Sequence, residues 1–390
     1  MRINTKILCA NTRWQMSTDE KKEYGAILVD TSIFDAHGLK LEKGLLGKLN
    51  QFKDGDIDYL LPDVIKGEVQ SHLEKKVKSS RTSLEKALNE AGDHLFFDGS
   101  KLNQAKSILI DSSEVEGIAA SRIDKFIDNS GALVLECGDY VSVTELLEQY
   151  FQNEPPFAET GKKKNEFPDA IVLLATEAWA EENDIKVLAV ARDGDWKSYC
   201  ETSDNIDYTE DFADALSKFN KETAPFAFLS MLTSKIEKEE GDAADFIEKI
   251  HSGVESYFSG FTPDIEADSC HYWESEGCHG WLNDFELSDT NFKIVDHSKD
   301  YIVLGVSANI TVEVEGEFSF SQYDSIDRDH VYIGNATARV EEQFTSEILV
   351  TVCGDLTGDL SELDVEEVDV VSPLTWVDFG TLEPDYGEHD

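Results

Sequence analysis

Apolar residues recur along this chain with two different textures. Through about residue 220, short apolar runs that read as buried strands alternate with longer segments of helical period. GAILVDTS, residues 25–32, is an apolar run bounded by glycine and a polar triplet, as expected of a fully buried strand in a parallel sheet. A helix is predicted near 40–52. IDYLLPDVIKGEV then starts as a strand and turns helical at Pro62, with Asp63 in the first turn, a buried side of Ile65, Val69 and Leu73, and an end at Gly92. Residues 101–129 read as helix throughout, 131–136 as a strand and 142–152 as a helix. FPDAIVLLATEAWAEEND begins a helix at Pro168 and Asp169, with an apolar stripe through Ile171, Leu174, Ala175 and Ala178. Ile185 to Ala191 is a further buried strand, ended by Arg192-Asp193-Gly194-Asp195, and 211–220 closes the unit with a helix. Strands alternating with helices predict an α/β fold with a central parallel sheet covered on both faces.

The second texture begins after residue 220. Residues 223–260 read as a helical connector. In NITVEVEGEFSF, Ile310, Val312, Val314, Phe318 and Phe320 alternate with polar positions, and SEILVTVC repeats this with Ile348, Val350 and Val352. Period two with one wet face predicts an antiparallel sheet, so 261–390 is expected to be a separate β-rich domain with an acidic, partly disordered tail. The expected organisation is an extension over 1–23, an α/β domain over 24–222, the connector and the β-rich domain.

Charge sharpens this division. The 390 residues hold 80 acids and 34 bases, a net of −46. Residues 1–240 carry 29 bases and 45 acids, whereas 241–390 carry only 5 bases and 35 acids. Such a balance argues against indiscriminate coating of nucleic acid and against an anionic membrane surface. It leaves room for a local site made attractive to anions by bound cations and a few lysines. Six scattered cysteines fit reduced thiols better than a disulfide framework, and the N-terminal apolar core is too short for a signal peptide; a cytoplasmic protein is expected. CHYWESEGCHGW offers Cys270 and Cys278 with adjacent histidines, but the seven-residue gap is wider than structural zinc pairs use, and the segment is read as strand instead.

The candidate chemistry lies where acids fall at the ends of elements: Asp30 after the first strand, Glu68 at the edge of the buried face of its helix, Asp169 at a helix start, and Asp193 and Asp195 after a late strand. Singly, each also reads as a turn former, a cap or a solvated acid. Jointly, they fall where one edge of a parallel sheet gathers them, and crowded carboxylates repel one another unless cations intervene. Hydrolysis of a phosphodiester needs an activated water and neutralised phosphate charge, which a pair of hard divalent ions on carboxylate oxygens provides. Lys162, Lys163 and Lys164 stand just before Asp169 and are expected to touch substrate, Lys163 and Lys164 foremost. Lys75, Lys76, Lys78, Arg81 and Lys86 read as a solvated helix face.

The ordered set ILVDTS, LPDVIKGEV, FPDAIVLLATEAWA and VLAVARDGDW resembles a PIN domain, and more narrowly the large bacterial PIN-like group with a lysine-bearing loop before the third acid. The likeness covers about residues 24–220. It implies a three-layer α/β/α fold and a metal-dependent nuclease. Asp30, Glu68 and Asp169 match the first three acids and Asp193 the fourth, with Asp195 assisting and Thr31 or Ser32 as the hydroxyl after the first acid. The insertion of about a hundred residues between Glu68 and Asp169 departs from the family pattern. The expectation is two-metal hydrolysis of single-stranded RNA with Mg²⁺ or Mn²⁺, with Asp30, Asp169, Asp193 and Asp195 as metal ligands. Structure-specific cleavage of DNA and an inactive binding module are the alternatives. By analogy, a toxin or phage-defence role is plausible. The acidic C-terminal domain is expected to meet a protein partner or regulator, or to cover the basic groove, and removing 261–390 without effect would dismiss the covering idea.

Overall fold

In a computed structural model, residues 23–53, 55–94, 99–109, 115–157, 167–220, 225–238, 241–298, 301–324, 328–354, 356 and 360–385 are described. The N-terminal part runs β1 (Ala26–Val29), α1 (Thr31–Ala36), α2 (Gly44–Gly47), β2 (Asp58–Pro62), α3 (Asp63–His94), α4 (Gly99–Leu109), α5 (Val115–Ser130), β3 (Leu133–Leu135), α6 (Val143–Gln152), α7 (Phe167–Asn183), β4 (Val187–Val190), α8 (Gly194–Cys200), β5 (Ile206–Thr209) and α9 (Phe212–Phe219). Its five strands are all parallel, in the order β3-β2-β1-β4-β5. Ala26 to Val29 and Val187 to Val190 are fully buried, as central strands covered by helices on both faces require. The chain leaves β1 toward β2 and β3 and returns to place β4 on the other side of β1. Right-handed crossovers in opposite directions put helices on opposite faces and open a crevice at the carboxyl ends of β1 and β4.

The elements differ from expectation in local ways. Pro62 belongs to β2, where its missing N–H costs nothing at the strand's last residue, and α3 starts at Asp63 and runs past Gly92 to His94. The stretch read as one helix over 101–129 is two, α4 and α5, with 110–114 outside the described residues. Helix α7 buries Ala170, Val172, Leu173, Leu174, Ala175, Thr176, Trp179 and Ala180, a wider arc than the stripe expected, because it is packed on more than one side. The acids of RDGDW start a helix, α8, rather than only a turn.

The second part comprises α10 (Phe226–Glu237), α11 (Gly241–Tyr257), β6 (Asp264–Asp268), β7 (Tyr272–Leu287), β8 (Lys293–His297), β9 (Tyr301–Asp324), β10 (Asp329–Cys353), β11 (Asp364–Val370) and β12 (Trp376–Thr381). An antiparallel sheet in the order β11-β10-β9-β7, with β8 also on β9, is accompanied by the parallel pair β12-β6. Ile310, Val312, Val314, Phe318 and Phe320 are buried along β9, and Ile348, Val350 and Val352 of β10 are buried across from Val306, Leu304 and Ile302 of the same strand. Helix α11 lays Phe246, Ile250 and Val254 on this face, so the helical stretch is part of the β-rich core and not only a connector. Gly253 permits that approach: a Cβ there would lie 2.3 Å from the Val368 Cγ2. The acidic LDVEEVDVV, expected as tail, is strand β11 paired along β10. Cys270 is exposed, and Cys278 and Trp273 lie on β7, a single strand of this sheet.

The two parts share a boundary that is itself packed. Val295, Val303 and Leu349, from β8, β9 and β10, join the core of the parallel sheet. Asn220 Nδ2 donates to the Val295 carbonyl at 2.8 Å, and Lys293 reaches the Asp211 carboxylate that caps α9 at 2.9 Å.

Candidate active site

The crevice between β1 and β4 is where the candidate acids meet. Val29 pairs with Val190, and the Asp30 N–H donates to the Val190 carbonyl at 2.9 Å, so the chain leaves both strands side by side. Asp30 then caps α1, its carboxylate accepting from the Ser32 N–H at 3.0 Å. Capping explains the local sequence, since aspartate at an N-cap satisfies an otherwise orphaned helix donor. It does not explain why the side chain is only 6% exposed. Burial pushes the Asp30 carboxyl up, the Ser32 hydrogen bonds oppose it, and the charge of Glu68 adds to the rise.

Glu68 reaches the crevice from α3. The Thr31 hydroxyl donates to its Oε2 at 2.8 Å, which supplies the partner its half-buried position calls for. On β4's side, the Ser32 hydroxyl accepts from the Arg192 N–H at 3.1 Å, stitching the α1 start to the loop after β4. Asp193 caps α8 through the Asp195 N–H at 2.6 Å, and Asp195 itself is buried. Asp169, in the first turn of α7, accepts from the indole N–H of Trp196 at 2.9 Å. Trp196 is fully buried, so the bond is shielded from water and fixes the carboxylate's direction.

Asp169 records the convergence most directly. Its carboxyl is pushed up to about 6, first by burial, against the Trp196 hydrogen bond, and then by the charges of Asp30, Glu68 and Asp193. Asp169 therefore lies near enough to Asp30 after β1, Glu68 of α3 and Asp193 of the β4–α8 loop for their charges to raise it. Their oxygens are the hard donors that Mg²⁺ and Mn²⁺ prefer. Among the described residues no group of three or more His, Cys, Asp or Glu side chains is placed to hold a metal ion.

Thr31, Ser32 and the five acids thus lie on the elements bordering the crevice. Lys163 and Lys164 fall outside the described residues. Two neighbours were not expected from sequence: Trp196, which orients Asp169, and His37, whose imidazole is lowered to about 4 by burial and then by Arg192 and Lys40. The tryptophan directly after an acid pair was the available signal, because a buried indole N–H needs an acceptor.

The five-stranded parallel sheet with Asp30 and Asp193 at its switch point is an α/β arrangement of the kind that places ligands at strand ends. Residues 27–196 match the family model described as PIN domain, and this segment is a PIN domain. PIN domains are generally nucleases that act on nucleic acid and typically use divalent metals such as Mg²⁺ or Mn²⁺. The match runs across the stretch of about a hundred residues between Glu68 and Asp169. No curated protein and no solved structure matches the chain. Among the described residues no helix is long and apolar enough to cross a membrane.

Proposed function

We propose that this chain is a metal-dependent endonuclease that hydrolyses phosphodiester bonds in single-stranded RNA. The observation that supports this reading is that β1, α3, α7 and α8 bring Asp30, Glu68, Asp169 and Asp193 to the switch point of the sheet, with Glu68 held by Thr31 and Asp169 by Trp196. Asp30, Asp169, Asp193 and Asp195 would hold a pair of divalent ions, which supply charge neutralisation on the phosphate and lower the pKa of the attacking water. Glu68, oriented by Thr31, accepts hydrogen bonds from water on the attacking side. Trp196 keeps Asp169 turned toward the crevice. Ser32 holds the loop that carries Asp193, and Lys163 and Lys164 contact the substrate backbone. Hydrolysis leaves a 5′-phosphate and a 3′-hydroxyl. A toxin or phage-defence role rests on the bacterial resemblance alone, and the acidic C-terminal part is the natural place for a regulator.

Purified protein is mixed with labelled single-stranded RNA and Mn²⁺, with a DNA flap and a DNA single strand in parallel. Cleavage of the RNA that falls at least about 100-fold in Asp30→Asn supports the reading, a loss on the scale of an essential electrostatic group. Preferential cutting of the flap would move the substrate to DNA, and absence of Mn²⁺ binding by calorimetry would leave a binding module.

A further inference from the structure

A cleft of about 890 Å³ opens beside the acids, between the PIN domain and the β-rich part. Its PIN-side wall carries Lys40, Lys43, Lys76 and Arg192, all exposed. None of these four makes an ion pair among the described residues. Arg192 directly precedes Asp193, so the wall begins at the acid cluster. The loop holding Lys40 and Lys43 is tied down by Arg122 of α5, which donates to Glu42 at 2.8 and 2.6 Å and to the Leu39 carbonyl at 3.3 Å. This pairing holds the Glu42 carboxyl below its usual range, so Glu42 stays engaged with Arg122 and does not neutralise the neighbouring lysines.

The opposite wall is the edge strand β11, with Glu366, Glu367 and Asp369, and Tyr257 of α11. Glu367 lies across from Thr351 and Asp369 across from Leu349, whose side chain belongs to the core shared with the PIN domain. The two carboxylates are therefore on the PIN-facing side of the sheet. Opposite charges face each other here without closing into ion pairs. In a chain of net −46, Lys40, Lys43, Lys76 and Arg192 on one wall, where the single carboxylate Asp35 is engaged with His72 at 2.9 Å, are a local exception that favours an anionic ligand.

We infer that this cleft holds one strand of the nucleic acid next to the scissile phosphate, and that the acidic strand β11 is the element that selects against duplex. This rests on the nuclease reading above. A single strand lies with its phosphates along Lys40, Lys43, Lys76 and Arg192 and its bases toward Tyr257, where a ring gives a stacking surface. A duplex carries a second row of phosphates on its far side, which β11 repels. Discrimination then comes from a repulsive element as much as from an attractive one.

The test uses the full chain on the Asp30→Asn background in Mg²⁺, with fluorescence anisotropy of a short labelled RNA strand, free or annealed to its complement. Lys40→Gln, Lys43→Gln and Lys76→Gln together are expected to weaken single-strand binding at least about tenfold and to reduce the slope of log affinity against log salt by about 2, from three lost phosphate contacts. Glu366→Gln, Glu367→Gln and Asp369→Asn together are expected to raise duplex affinity at least about fivefold more than single-strand affinity. All six positions but Asp369 are exposed, and circular dichroism checks the fold of each variant. Unchanged binding in the lysine variant, or equal gains for strand and duplex in the β11 variant, overturns the inference. Failure of wild-type cleavage with these binding differences intact would instead overturn the nuclease reading.

Discussion

Thr31 follows the first acid and gives its hydroxyl proton to Glu68 at 2.8 Å while lying almost fully buried at the start of α1. Replacing it with valine keeps the volume and β-branching but leaves Glu68 without that donor. A hydrogen bond to a charged group contributes about 1.5–3 kcal/mol, so Thr31→Val is expected to lose roughly 10- to 100-fold in cleavage rate. Thr31→Ser keeps the donor and is expected to stay within about threefold of wild type. Equal rates for the two variants in an RNA cleavage assay would show that Glu68 needs no positioning. At this scale Asp30, Asp169, Asp193 and Asp195 drew notice because each stands at the end or start of an element, and Glu68 because it sits at the edge of its helix's buried face. Trp196 did not, since its role depends on α7 and α8 meeting, a contact between positions 27 residues apart that periodicity does not encode.

At the scale of elements, β10 meets α9 and β8 through one half-buried acid. Glu347 is pushed up to about 7, first by burial, with Asp211 and Asp214 adding to the rise and Lys293 opposing it. A carboxyl whose folded pKa lies above its unfolded value contributes stability that is complete below about 4.5 and is lost as pH rises through about 7. Glu347→Gln is therefore expected to stabilise the protein by about 1–2 kcal/mol at pH 8.5 and to be nearly neutral at pH 4. Thermal or urea unfolding at both pH values measures it, and a variant less stable than wild type at pH 8.5 would mean that the attraction of Lys293 outweighs burial. The same scale shows why some elements could be read and others not. The alternation from Ile310 to Phe320 in β9 carries its own signal, and Ile310, Val312, Val314, Phe318 and Phe320 are all buried. In β11, Val365, Val368 and Val370 are interrupted by a bulge opposite Thr351 and Val352, which breaks the period and leaves only the acidity visible. Strand β5 was missed because IDYT holds a single fully buried residue at the sheet's edge.

Across the whole molecule, the PIN domain and the β-rich part are joined by core packing as well as by a cleft. Val295, Val303 and Leu349 complete the core of the parallel sheet, and burying such a side chain contributes about 1.5–3 kcal/mol. A fragment ending near residue 222 is thus expected to unfold at lower temperature than the full chain and to self-associate through the uncovered surface. Size-exclusion chromatography with light scattering and thermal unfolding test this; a monomeric fragment with an unchanged midpoint would contradict it. The change of texture after residue 220 was visible in periodicity and charge. The shared core was not, because outward-facing Leu349 and Val303 look like ordinary strand positions until the partner surface is known.

Under the proposed function, acids distant in sequence form one metal-dependent centre for cutting a nucleic-acid strand. The most direct test is the rate at which the full chain cleaves single-stranded RNA as Mn²⁺ is added, compared with Asp30→Asn in the same preparation. Cleavage that rises with Mn²⁺, is abolished by a chelator and falls at least about 100-fold in Asp30→Asn is the predicted result. Cleavage that is indifferent to the metal, or equal in the two proteins, would contradict it.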